Sequence, residues 1–202
     1  MHNNFHAIIL SAGMSSRMGT PKALLNWHGQ KLIEYNLDNL ITNGITNINL
    51  VLGHEKEKIL PYAQRKEVNI IFNNNYKQGK SSSILEGLKN IKNEAENIIL
   101  KSVDQPRPIW FLKKIITEHL EKKSIITAPI SEGKRGHPII LNKKVFNQIL
   151  NINNYKNGLK DIFRENNDLV STVKMKNKWT HLDLNTKSIY EEALLYPLEK
   201  NE

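Results

Sequence analysis

"HAIILSAGMSSRMGTPK", His6 to Lys22, is the stretch whose reading decides the fold. His6–Ala12 is an apolar run with the length and composition of a strand buried on both faces. It empties into a loop that holds Gly13, Gly19, three small hydroxyl residues, Arg17 and Lys22. Glycines let backbone N–H groups approach a ligand closely, and hydroxyls donate hydrogen bonds. Arginine grips phosphate oxygens as a fork and lysine as a point charge. The set reads as a cradle for a polyphosphate; the plainer reading is a strand-to-helix turn with two surface cations.

Two familiar phosphate loops are excluded. G-x-x-x-x-G-K-[ST] fails because Gly19 comes one residue late and Thr20-Pro21-Lys22 follows it. The dinucleotide fingerprint fails because no G-x-G pair opens the loop and no helix can begin before Pro21. A second "GKSS", Gly79–Ser82, has the right ending, but Asn74 stands where its first glycine belongs.

Working outward, short β-rich runs alternate with longer amphipathic ones. Strands are predicted at Ile48–Gly53, Val68–Asn73 and Asn97–Asp104, and at "SIITAPI" and "HPIILN" on either side of the turn-rich "SEGKRG". The spacing predicts a helix over Lys31–Asn43 that stops before Gly44, and a short one in "HEKEKILPYAQ". Ser81–Ser83 are expected to cap a helix through "ILEGLKNI", and Pro108 suits the first turn of "IWFLKKIITEHLEKK". Towards the end come helices in "KKVFNQIL" and "GLKDIFREN", a strand "DLVSTVKM", an extended "HLDLN" and a polar terminal helix. This order predicts one α/β domain over residues 1–202, three-layered, Rossmann-like and doubly wound around a mostly parallel sheet. Ligands of such sheets bind at the carboxyl ends of the strands. The loop after the first strand, "NNNYKQGKSSS" after the third and Asp104 ending the fourth all fall there.

Composition narrows the classes. The 29 basic and 20 acidic side chains leave a formal charge of +9, which suits an anionic partner such as a nucleotide or phosphorylated metabolite. The charges are scattered and form no basic arm, so nucleic acid is not expected as a partner. With no cysteine, disulfides, thiolate catalysis and cysteine-ligated metals are excluded. No apolar stretch approaches a membrane span and no basic region precedes the first apolar run, so a cytoplasmic protein is expected.

Other residues carry candidate chemistry. Asp104 could bind Mg²⁺ or cap the next helix. Asp183 offers a second oxygen ligand, and Asn185 faces the same way if the segment is extended. Gly136 and His137 open a strand where His137 could contact substrate or serve as a structural histidine. "GHEKEK" lacks the second histidine of H-E-x-x-H, so His54 reads as a helix start. Trp27, Trp110 and Trp179 read as packing.

Taken together, "LSAGMSSRMGTPKALL", "VLGHEKEKI", "NNNYKQGKSSSILEGL", "VDQPRP" and "GKRGHPIIL" occur in the order found in nucleotidyltransferases that attach a nucleoside monophosphate to a phosphorylated acceptor. Within that superfamily the chain resembles the molybdenum cofactor cytidylyltransferases, over roughly residues 6 to 142, and "LDLNT" extends the match. The resemblance implies a Rossmann-like transferase using CTP and Mg²⁺ or Mn²⁺. The terminal phosphate of the molybdenum cofactor would attack the α-phosphorus and pyrophosphate would leave. A recipient molybdoenzyme follows as a partner.

Carried over by position, the resemblance implies that Leu10, Ala12, Gly13, Ser16 and Gly19 surround the nucleotide. Arg17 holds the β- and γ-phosphates and Lys22 neutralises the α-phosphoryl group. Asn75, Ser81 and Ser82 line the nucleoside side, Gly136 and His137 the acceptor side. Asp104 holds the metal, with Asp183 a second contact. Ala12 stands where the guanylyltransferase branch has the first glycine of "AGG", a methyl group in place of hydrogen, which points to cytidine. On the acceptor side the chain departs from the family. An acidic D-x-D-T-P-E-D run is reduced to Asp183-Leu-Asn185-Thr-Lys-Ser-Ile, and a G-D-x-G-R stretch survives only as Gly158 with Lys160 in place of arginine. Guanylyl transfer, another phosphorylated acceptor, and a binding or delivery protein for the cofactor are the alternatives.

Overall fold

The computed structural model of the chain describes residues 4–15, 18–91, 95–154, 157–176 and 178–199. The opening apolar run becomes β1 (Phe5–Ser11), buried along its whole length, as a central strand covered on both faces must be. A two-residue ribbon follows, β2 (Asn26–Trp27) antiparallel to β3 (Gln30–Lys31). His28 and Gly29, at φ 48° and 89°, give its turn the twist that a tight hairpin needs. Strands this short show no period, so the sequence carries no signal for them.

The chain continues through α1 (Leu32–Thr42), β4 (Ile48–Leu52), α2 (Lys56–Ile59), β5 (Val68–Phe72), α3 (Lys80–Lys89), β6 (Asn97–Ser102) and α4 (Ile109–Glu121). It then forms β7 (Ile126–Ser131), β8 (Lys134–Arg135), β9 (Ile139–Asn142), α5 (Phe146–Leu150), α6 (Leu159–Glu165), β10 (Val170–Lys174) and α7 (Lys187–Ala193). The sheet order is β10-β7-β9-β6-β1-β4-β5, with β8 paired to β7. β9 runs antiparallel to both β6 and β7, because the turn-rich link before it reverses the chain. The long strands otherwise run with β1, which is the mostly parallel sheet expected.

Helices cover both faces and make three layers. On one face α1 and α4 bury Leu32, Leu37, Phe111 and Ile115 with the ring of Trp27. On the other, α3, α5 and α6 bury Ile84, Leu88, Ile149 and Ile162. Trp27 meets Trp179 edge-on at 6.5 Å between ring centres, so both are packing residues as expected. β1 lies between β4 and β6, and the chain winds away from it in both directions. The crevice at the carboxyl ends of β1 and β6 is therefore where a doubly wound sheet places its ligand.

Two expectations fail locally. Gly79, not a serine, is the residue before the first turn of α3. Ser82 Oγ instead donates to the carbonyls of Gly79 (2.8 Å) and Asn75 (3.1 Å). "HLDLN" is not extended: Lys178–His181 form a 3₁₀ turn, and Asn185 N donates to Asp183 O at 2.7 Å, a three-residue turn.

Candidate active site

The loop after β1 closes on itself. Met18 N donates to Ser15 O (2.9 Å) and Lys22 N to Ser15 Oγ (3.2 Å), which starts the 3₁₀ turn Lys22–Leu24. Lys22 is thereby aimed across the crevice. Its ammonium donates to Asp104 Oδ2 and to Asn185 Oδ1, each at 2.7 Å. Residues 82 and 163 positions apart meet at one nitrogen. Asp104 therefore serves the crevice rather than capping α4, whose N-terminal flank is Pro108 with no side-chain cap.

The "DQPR" segment after β6 holds the C-terminal residues in place. Leu184 N donates to Asp104 O at 2.9 Å. Buried Gln105 accepts from Ser102 N (3.1 Å) and donates to Asp183 Oδ1 (2.9 Å). Arg107 is 1% exposed. Its guanidinium donates to the carbonyls of His137 (2.9 Å), Pro106 (2.8 Å), Leu182 (2.8 Å) and Thr180 (3.3 Å). Burial lowers its pKa to about 10, against the pull of Asp183 and Asp104. The Arg107 carbonyl in turn accepts from Tyr35 Oη (2.9 Å) and Asn39 Nδ2 (2.6 Å) on α1. One side chain thus ties together the segments that carry Asp104, His137 and Asp183.

Gly136 is fixed by space: a Cβ there would lie 2.0 Å from Thr180 O, so only glycine lets the approach to β9 pass this close to the 180–185 segment. His137 follows it. Its Nδ1 is buried with no hydrogen-bond partner among the described residues. Burial first, then Lys80 and Arg107, push its pKa down to about 3. His137 is neutral near pH 7, a candidate hydrogen-bonding group.

A cavity of about 410 Å³ opens here. Of the residues singled out in the sequence, Leu10, Ala12, Gly13, Lys22 and Asp104 line it. Asp183 reaches the same rim through Gln105 but borders a separate cavity of about 740 Å³ with Lys178 and His181. Gly19, Asn75, Ser81, Ser82, Gly136 and His137 are not among the residues that line the first cavity. Asn73 Nδ2 donates to Ser82 Oγ (2.9 Å) and Ser83 Oγ (3.0 Å), fixing that wall. Ser16 and Arg17 lie outside the described residues.

Sequence reasoning assigned no role to Lys77, Lys80, Gln105 or Arg107. Lys77 and Lys80 line the cavity together with the first loop. Their signal was present as "KQGKSSS", set aside with the failed phosphate-loop pattern. Gln105 and Arg107 stand in "VDQPRP", but their partners lie up to 78 positions away, so the motif marks the segment without showing what these two side chains hold.

The profile of the MobA-like NTP transferase domain matches residues 7–170. The chain belongs to that family. It is a nucleotidyltransferase of the MobA-like group, and the match begins at β1 and covers the loop, Lys22 and Asp104. Nicotine blue oxidoreductase of Paenarthrobacter nicotinovorans is 24% identical, over 89% of this chain and 91% of that protein. The molybdenum cofactor cytidylyltransferase of Escherichia coli K12 is 28% identical, over 75% and 79%. A probable molybdenum cofactor guanylyltransferase of Bacillus cereus is 32% identical, over 63% and 62%. Among solved structures, Rv0371c of Mycobacterium tuberculosis H37Rv superposes with a TM-score of 0.82 at 22% identity, over 96% of this chain and 98% of that one. Its complex with manganese gives 0.75 at 20% identity, over 95% and 98%. These superpositions establish the fold. Among the described residues no helix is long and apolar enough to cross a membrane.

Proposed function

We propose that the chain transfers CMP from CTP to the terminal phosphate of the molybdenum cofactor, in the cytoplasm, releasing pyrophosphate and passing the product to a recipient molybdoenzyme. The observation that carries this reading is the meeting of Lys22, Asp104 and Asn185 at 2.7 Å on the rim of a cavity that Ala12 and Gly13 line. An acceptor phosphate oxygen forms a bond to the α-phosphorus, the bond from that phosphorus to the bridging oxygen breaks, and the electron pair leaves on pyrophosphate. Such a transfer needs alignment and charge neutralisation more than a protein nucleophile. Lys22 supplies charge at the α-phosphoryl group, and Arg17 is assigned the tail of the triphosphate. The acceptor monoester is largely ionised near neutral pH, so no general base is required.

The donors around Asp104 fit a hard divalent cation. Asp104, Asp183 and Asn185 offer oxygens, and the Lys22 ammonium already bridges two of these side chains, so the place is built for positive charge. These three residues would hold Mg²⁺ or Mn²⁺, which when bound neutralises phosphate oxygens as a Lewis acid.

Guanylyl transfer is the second reading, favoured by the likeness to the Bacillus cereus protein. The transferase readings are preferred over the oxidoreductase activity named for the Paenarthrobacter protein, because no G-x-G pair opens the β1 loop. Product mass after incubation with reduced cofactor and each triphosphate separates the bases. Ala12 is 4% exposed and borders the cavity, so Ala12→Gly should raise the ratio of GTP to CTP use about tenfold or more, the scale of one small-group change in a pocket. An unchanged ratio would remove Ala12 from base choice.

A further inference from the structure

The cavity at the β1–β6 crevice has cations from two parts of the chain. Lys22 comes from the first loop and already has two acceptors, Asp104 and Asn185. Lys77, in the 3₁₀ turn Tyr76–Gln78, and Lys80, the first residue of α3, line the same cavity. Among the described residues neither has a carboxylate within 4 Å. Asp104 is the only carboxylate among the described lining residues, against Lys22, Lys77 and Lys80, so the lining carries net positive charge.

Nucleotidyl transfer brings two anions together: the triphosphate and an acceptor phosphate carrying about −1.5 to −2 charges. Their repulsion has to be offset from two directions. The β1 loop addresses one anion. Lys80 is placed for the other: it lines the cavity together with Asp104, partly withdrawn from water and within electrostatic reach of Asp183 and His137. It therefore faces the nucleotide cavity while lying near the side that carries His137 and Asp183. His137 adds an unsatisfied Nδ1 on that side.

We infer that Lys80 binds the phosphate of the acceptor, with His137 Nδ1 as its neighbour, and so selects phosphorylated over unphosphorylated acceptors. The inference rests on the transferase reading above and names the residue that reading lacks. Lys80 is the first residue of α3 and lines the open cavity; alanine is also a good helix former there, so Lys80→Ala keeps the fold.

The test is equilibrium binding of the pterin phosphate monoester and its dephosphorylated counterpart to the full chain and to Lys80→Ala. A charge-assisted hydrogen bond is worth roughly 10- to 100-fold in affinity. The wild type should prefer the phosphorylated pterin by that factor, Lys80→Ala should lose the preference, and Lys80→Arg should restore most of it. Equal discrimination by wild type and Lys80→Ala would overturn the role of Lys80 and leave the transferase reading intact. Binding of neither pterin by the wild type would overturn both. In steady state, a rise in KM confined to the nucleotide would move Lys80 to the triphosphate and contradict the assignment.

Discussion

The loop from Ser11 to Lys22 and the segment from Thr180 to Asn185 meet at one ammonium group, yet they are built in opposite ways. The loop is held by local bonds such as Lys22 N to Ser15 Oγ, and its chemistry is spelled out in consecutive residues. The C-terminal segment is held from outside, by Asp104, Gln105 and Arg107 from beyond β6. Groups that face a ligand must be of particular types, so they leave a motif. Groups that set the distance between those types need only reach, and they leave almost none.

That contrast predicts different failures. The largest effect is expected at Arg107. Arg107→Leu leaves the carbonyls of His137, Leu182 and Thr180 without their buried donor and should cost about 3–5 kcal/mol of stability, seen in the urea midpoint. A loss below about 1 kcal/mol would mean that the C-terminal segment is positioned by something else.

Lys22→Ala should fail the other way. Turnover falls about 10²-fold or more, roughly 2.7 kcal/mol of transition-state stabilisation. The urea midpoint should change less than for Arg107→Leu, since the Lys22–Asp104 pair keeps some contact with water, which can solvate the carboxylate left behind. Full activity in this variant would remove the proposed chemistry, whatever the fold.

The smallest effect sharpens the comparison among buried cations. Lys101, in β6, is 2% exposed, and unlike Arg107 it has no hydrogen-bonded carbonyl in the described structure. Burial, then the charge of Arg107, lowers its pKa to about 7. Its folded pKa lies below the unfolded value of about 10.4, so the unfolded chain binds more protons between these values. Stability should accordingly rise as pH climbs from about 7 towards 10. Lys101→Met should gain about 2 kcal/mol near pH 7 and lose that rise, as read from denaturation midpoints at pH 7, 8.5 and 10. A destabilised variant would show that Lys101 serves the fold in its charged form.

Much of the architecture is legible in the sequence. Continuous apolar strands at β1, β4 and β6, with amphipathic helices between them, admit few arrangements other than a doubly wound sheet. The β2–β3 ribbon is not, because two-residue strands carry no period. The serines after Gly79 misled because hydroxyl residues suit both a cap and a first helical turn. At the site, Lys22 and Asp104 were legible as chemistry, and their contact follows once β1 and β6 are neighbours. Asn185 was expected to face with Asp183 along an extended segment; the three-residue turn brings its amide to Lys22 instead. Lys80 and Arg107 were out of reach because their meaning depends on what lies across the crevice.

The most direct test of the central claim is pyrophosphate release by the purified chain with Mg²⁺, reduced molybdenum cofactor and each ribonucleoside triphosphate in turn. The account predicts release that requires the cofactor and is strongest with CTP. Release with GTP alone would reverse the reading of Ala12 while keeping the site. No release with any triphosphate, from folded protein, would contradict the transfer and leave a protein that holds the cofactor without transforming it.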